Sequence, residues 1–275
     1  MGLSTKLHPS YCRGWIFPRA TGFLGSGFQP EFNIPGVQEH PELGRMLAKA
    51  ADILHQATHP GLQILVGTCV GDFGNYEGVT DDRREWNLFA PALRPAIAHL
   101  DFLGFQEMRG GTHRDAEGEM KSYTPKQEGI ELLGKRTTAF SAYLQAQYHL
   151  PLLLAYVEVA TLTPPGLPPG TWESAATLGY QEILQQVPKL RQNGVFGVMA
   201  MSLFDNKAAN NQNQSFWGNA EDHFGLVESK SPIGQSFIGY PPYLIKPSGK
   251  VWIKQTGLVS KDACEKELDT IFSRK

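Results

Sequence analysis

The sequence predicts an α/β protein with a parallel sheet, arranged as a TIM-type (β/α) barrel. Three observations carry that expectation. Short apolar runs recur along the 275 residues, each followed by a segment with helical spacing. Strand starts fall roughly every 35 to 50 residues, the length of a strand–helix unit with a long loop. The run Pro151–Glu158, apolar until its final carboxylate, reads as a strand buried on both faces. A doubly wound sheet is the alternative arrangement.

The elements follow in order. Ser26–Glu31 is a weak strand candidate, and Pro41 to Thr58 a helix with Leu43, Met46, Leu47, Ala50, Ile53 and Leu54 at three-to-four spacing. Gln63–Gly67 is a strand. Asp81 to Leu100 is a helix capped by Asp81 or Asp82, with Trp86, Phe89, Leu93 and Ile97 on one face. Asp101–Glu107 is a strand, Gln127 to Tyr148 a helix, and Trp172 to Gln192 a helix bent by Pro188. Gly194–Phe204 is the last strong strand. Five strands are too few for a full barrel, so the barrel is expected to be incomplete at its N-terminus.

Asp205 to Ser236 is a polar loop that holds Phe216, Trp217, His223 and Phe224, and a loop of this length in a compact domain is usually functional. Tyr240–Tyr243 and Val251–Ile253 suggest a small extended appendage, closed by a helix at Ser260 to Ser273. The expected division is a barrel-like catalytic domain at 1–235 and a C-terminal extension at 236–275 packed on it.

Composition excludes several classes. A net charge of −2 gives no electrostatic case for nucleic acid. No apolar run approaches the roughly 20 residues a membrane helix needs, and Met1 to Pro18 lacks the apolar core of a signal peptide. Cys12, Cys69 and Cys264 have neither disulfide nor metal spacing. No strand leads into a phosphate-binding glycine fingerprint, and Ser202 lacks a nucleophile elbow. No cofactor and no metal are expected. His55 and His59 have the spacing of a helical metal pair but no third ligand, so they read as a solvated helix end.

Three strands end on a glutamate: Glu31, Glu107 and Glu158. In a parallel barrel, strand C-termini share one rim, where catalytic side chains gather. Two carboxylates across a scissile bond are what glycoside hydrolysis requires. His113, directly after one of these strands, and His223, among the loop aromatics, are candidate substrate contacts. Trp217 sits where a sugar face could stack on it or where it could be buried. Trp86 and Trp172 read as core residues, and Tyr156 as packing on the face opposite Glu158. Lys207 and Arg109 read as solvated charge.

These residues resemble the retaining glycoside hydrolases of the large (β/α)8 clan whose catalytic glutamates end the fourth and seventh strands. The clan's Asn-Glu-Pro-Asn motif is matched by Glu31 and Asn33 within Pro30-Glu31-Phe32-Asn33, followed by a helix and by Ile64-Leu-Val-Gly67. Asp101–Met108 is similar to a sixth-strand Leu-Gly-x-His-Glu-Tyr pattern, with Gln106 and Met108 in place of His and Tyr. Val157-Glu158-Val159-Ala160 stands where the clan has Thr-Glu-x-Gly, and Asn219 to Val227 is similar to its closing loop. The resemblance spans roughly residues 26 to 230.

The resemblance implies Glu158 as an ionised nucleophile and Glu31 as acid/base, its pKa raised by Phe28 and Phe32. Retaining chemistry sets the two carboxyls about 5–5.5 Å apart. Glu107 and Asn33 would bind or orient sugar hydroxyls, and Phe204 with Trp217 would form the aromatic platform. The implied partner is a carbohydrate. Pro30, in place of the clan's Asn, has no donor for the substrate 2-hydroxyl, which leaves a catalytically silent carbohydrate-binding barrel as the alternative.

Overall fold

The computed structural model describes residues 37–57, 65–72, 76–115, 117–200, 203–205, 216–229 and 243–256. Glu31, Asn33, the strand expected at 26–31, Lys207 and the terminal helix expected at 260–273 lie outside the described residues, as do Cys12 and Cys264. The sheet is parallel and four-stranded: β1 (Gly67–Gly71), β2 (Phe102–Arg109), β5 (Leu152–Val159) and β6 (Val195–Ala200), in spatial order β1-β2-β5-β6. Two short antiparallel ladders accompany it, β3 (Thr112–Arg114) with β4 (Met120–Ser122), and β7 (Val227–Ser229) with β8 (Tyr243–Ile245). The α/β class therefore holds, and no closed barrel is formed among the described residues.

β2 and β5 are the middle strands because both their faces are covered. Leu103, Phe105, Leu152, Leu154, Val157 and Val159 pack toward the helices, whereas Phe102, Leu153, Ala155 and Tyr156 pack with Leu65 on the other face. Tyr156 thus shares a face with Glu158, two residues on, as strand alternation requires. The expectation that it points away is corrected. β1 begins where the sequence reading ended it. Val66 and Asp101 start the pairing, and Gly67–Gly71 continues the strand with Thr68 and Val70 buried.

Helix α1 (Pro41–Gln56) buries Gly44, Leu47, Ala48 and Ala51, leaving Met46 and Ile53 exposed. The buried stripe is rotated from the expected one because Gly44 lets the backbone approach closely. A Cβ there would clash with the Ala92 carbonyl oxygen. Gly44→Ala is expected to cost about 1–3 kcal/mol through overpacking. A lower urea midpoint with unchanged slope is the readout.

The single helix expected over 81–100 is three pieces: α2 (Arg83–Trp86), α3 (Ala90–Leu93) and a 3-10 turn Arg94–His99. Pro91 and Pro95 each remove an N–H donor and restart the chain at a first-turn position. Trp86, Phe89 and Leu93 are still buried, as the spacing predicted.

Helix α4 (Leu133–Tyr148) buries several polar side chains, and two of its threonines bond back to the preceding turn. Thr137 and Thr138 donate to the carbonyls of Leu133 and Gly134 at 2.7 and 2.8 Å. Phe140 of this helix packs on Trp86, Phe89 and Phe105 at the centre of the core. α5 (Thr171–Gln185) and α6 (Val187–Gln192) replace the bent helix, with Pro188 in the first turn of α6. α7 (Pro247–Thr256) sets Trp252 edge-on to Tyr180 of α5, 5.9 Å between ring centres. Val251–Ile253, expected to be extended, is therefore helical. No helix among the described residues is long and apolar enough to cross a membrane.

Candidate active site

The C-terminal edge of the parallel sheet carries three buried carboxylates: Asp72 after β1, Glu107 on β2 and Glu158 on β5. Register sorts them between the two faces. β2 and β5 pair as Phe105↔Leu154 and then Gln106↔Tyr156, so Ala155 is an extra residue on β5. Beyond this bulge Glu107 is level with Val157, and Met108 with Glu158. Residues level with each other in a parallel ladder share a face. Glu107 therefore faces the helices, and Glu158 the opposite side.

On the helix side Glu107 joins an ion network of Asp72, Arg109 and Arg136. Arg109 Nη2 donates to Glu107 Oε2 at 2.9 Å and lies 3.4 Å from Asp72 Oδ2. Arg136 grips Asp72 through both Nε and Nη2, the latter 2.6 Å from Oδ1, and Trp86 Nε1 donates to the same oxygen at 2.9 Å. The Arg109 guanidinium stacks on the Tyr76 ring, 3.7 Å from its centre. Burial pushes the Glu107 carboxyl up, against the pull of Arg109. Glu107 is fully buried in this layer, on the sheet face opposite Glu158. Arg109, expected to be solvated, is fully buried here as well.

On the other face Glu158 is 5 % exposed and has no hydrogen-bond partner among the described residues. Burial raises its pKa from 4.5 to about 8, and the charge of Glu221 adds to the rise. The ionised form expected for a nucleophile is therefore the minor form at neutral pH. Met108 stands level with it and packs with Ala160, Trp217, Ala220 and Phe224. A thioether is at best a weak acceptor and gives the carboxylate no donor.

The remaining described candidates lie in or against residues 216–229. Trp217 is buried, edge-on to Phe216 and Phe224, so its ring packs in the core of the 216–224 segment. The structure favours burial over an open stacking platform for it. Phe204 is half exposed and bridges to Val227. His113 lies between Tyr123 and Phe216, stacked 3.8 Å from the first ring centre and 5.2 Å from the second. Its Nε2 meets Glu128 Oε1 and its Nδ1 meets the Arg114 carbonyl, both at 2.9 Å. Both ring nitrogens are thus engaged by Glu128 and by the hairpin's own backbone, while the ring faces pack on Tyr123 and Phe216. The His223 carbonyl accepts from Thr161 N and from Lys246 Nζ, pinning the loop after β5.

The sequence reading missed Asp72, Asp205, Glu221 and Lys246. Asp72 and Asp205 each directly follow an apolar run, the same signal that singled out Glu158. Lys246 carries no such signal, since its partner Asp205 is 41 residues away. No group of three His, Cys, Asp or Glu side chains suited to a metal ion occurs among the described residues.

No protein-family model matches the sequence, and no curated protein matches it. Solved structures do show a likeness. A hyperthermophilic β-glucosidase mutant is 14% identical over 78% of this chain and 47% of its own, with a TM-score of 0.47. The family 1 β-glucosidase from Thermotoga maritima is 12% identical over 88% of this chain and 62% of its own, at 0.45. An endo-laminarinase from Formosa is 15% identical over 68% and 49%, at 0.42. The chain spans less than two thirds of the length of each.

Proposed function

We propose that the chain is a glycoside hydrolase-type protein that cleaves an O-glycosidic bond in an oligo- or polysaccharide, with Glu158 and Glu31 as its carboxylate pair. The observation that supports this reading is the setting of Glu158. It is a strand-end carboxyl on the sheet face away from the helices, without a hydrogen-bond partner among the described residues, and costly to ionise. Packing alone gives no reason to keep such a group, whereas chemistry does.

In the two-step retaining scheme, Glu158 attacks the anomeric carbon while Glu31 protonates the leaving oxygen. Glu31 then takes a proton from the water that releases the sugar. Glu158 attacks only when ionised, so turnover is expected to rise with pH through about 8. Because the Glu221 charge helps hold the proton on Glu158, Glu221→Gln is expected to move this limb to lower pH. The test is hydrolysis of aryl glycosides and polysaccharides by the purified protein between about pH 5 and 10, with Glu158→Gln in parallel.

A second reading, a silent carbohydrate-binding barrel, is favoured by one specific observation: Met108, not a donor, stands level with Glu158. A folded protein that binds a polysaccharide of the panel and hydrolyses none of it at any pH would select that reading.

A further inference from the structure

Separate segments of the chain meet at one buried ammonium. Lys246 stands between β8 and α7. Its Nζ donates to Asp205 Oδ1 at 2.6 Å, to Thr161 Oγ1 at 2.9 Å and to the His223 carbonyl at 3.2 Å. Asp205 follows β6, Thr161 lies in the loop after β5, and His223 closes the 3-10 turn Gly218–His223. These partners are also tied to one another. Thr161 donates to the His223 carbonyl through N at 3.1 Å and through Oγ1 at 3.2 Å, and Gly225 N donates to Asp205 Oδ1 at 3.0 Å. A Cβ at Gly225 would clash with the Asp205 backbone, so these two segments cross in direct contact.

A lysine head group is a compact charge with three donors, and here each acceptor comes from a different segment. A buried ion pair adds little net stability over an apolar pair of like volume, so stability alone gives no reason for one at this place. What directed bonds supply is register, by fixing the loop after β5 against the 218–223 turn. Both ends of that link border Glu158. Thr161 lies just beyond it on the exit from β5. Ala220 in the turn packs with Ala160 and with Met108, which stands level with Glu158. The same turn carries Glu221, whose charge acts on the Glu158 carboxyl.

We propose that Lys246 is the positioning residue of the Glu158 site, its ammonium locking the loop after β5 to the 218–223 turn and so fixing the wall beside the carboxyl. Its bearing on turnover rests on the hydrolase reading, whereas the link itself is read without substrate.

The experiment follows Glu158 by NMR in the full chain, labelled with 13C at the glutamate carboxyls, its resonance assigned by absence from Glu158→Gln. In the parent the carboxyl is expected to titrate at about 8. Burial and the Glu221 charge both raise it, so a loosened turn lowers it on both counts. Lys246→Met is expected to weaken proton binding at Glu158 by about tenfold or more. Thr161→Val removes the Oγ1 acceptor, leaves the Asp205–Lys246 pair in place, and is expected to move the midpoint in the same direction. It decides the matter if Lys246→Met fails to fold. Gly44→Ala, which lowers stability where α1 meets Ala92, is the control and should leave the midpoint at the parent's value. An unmoved midpoint in Lys246→Met or in Thr161→Val, or an equal fall in Gly44→Ala, would overturn the proposal. A lowered midpoint in a series whose parent cleaves no polysaccharide would support the link and count against the hydrolase reading alone.

Discussion

Asp72→Asn is expected to lower the unfolding free energy by about 3–5 kcal/mol, a large share of what a domain of this size has. Asp72 is the shared counter-ion of Arg136 and Arg109, and all three are almost fully buried. Removing the charge leaves both guanidiniums in a low-dielectric layer, where Glu107 and the partly exposed Asp82 must answer them. The Trp86 indole keeps only a weaker acceptor. The surface pair Arg83–Asp81 is the control, because both of its side chains are well exposed. Asp81→Asn should change stability by less than about 1 kcal/mol. Urea unfolding of the two variants beside the parent reads both effects. Similar small losses in both would mean that the buried network contributes little.

The second large effect has the opposite sign. Glu158→Gln is expected to stabilise the protein by on the order of 2–3 kcal/mol at pH 7. The folded state holds the Glu158 proton up to about pH 8, whereas the unfolded chain releases it near 4.5. Between those values the folded state binds the extra proton, so stability falls as pH rises. Glutamine has the shape of the protonated acid and cannot ionise, so it escapes that loss. The gain should be absent below the unfolded value, at about pH 4, and full above about pH 8. Thermal or urea unfolding of parent and variant across this range checks it. A loss of stability in Glu158→Gln at neutral pH would mean that the carboxylate is held by donors and is structural.

Much of the fold was legible in the sequence because its signals are local. The runs 102–109 and 152–159 are apolar enough to mark central strands, and the spacing of Trp86, Phe89 and Leu93 marks a buried face. The interruptions of 81–100 were missed although their signal is local, since Pro91 and Pro95 do to their segment what Pro188 was expected to do to its own. Gly44 was harder. Its role is set by the Ala92 carbonyl, which lies far along the chain.

The site was legible in kind but not in arrangement. A carboxylate closing an apolar strand singled out Glu158, which is buried at the end of β5. The same rule grouped Glu107 with it, and there a single residue decides. Without the bulge at Ala155, Glu107 would stand level with Tyr156 and share the face of Glu158. The extra residue on β5 turns Glu158 away from the helices, while Glu107 keeps the helix side with Leu103 and Phe105 and enters the arginine network. Nothing in the local pattern announces that slip. His113 and Trp217 were each singled out by the sequence, but only tertiary packing sets His113 against Glu128 and against Phe216 beside Trp217.

The measurement that bears most directly on the central claim is the pH dependence of polysaccharide hydrolysis by the parent and by Glu158→Gln. The account predicts turnover that climbs through about pH 8 in the parent and is lost in the variant. Turnover that survives in Glu158→Gln, or no turnover at any pH from a folded parent, would contradict it.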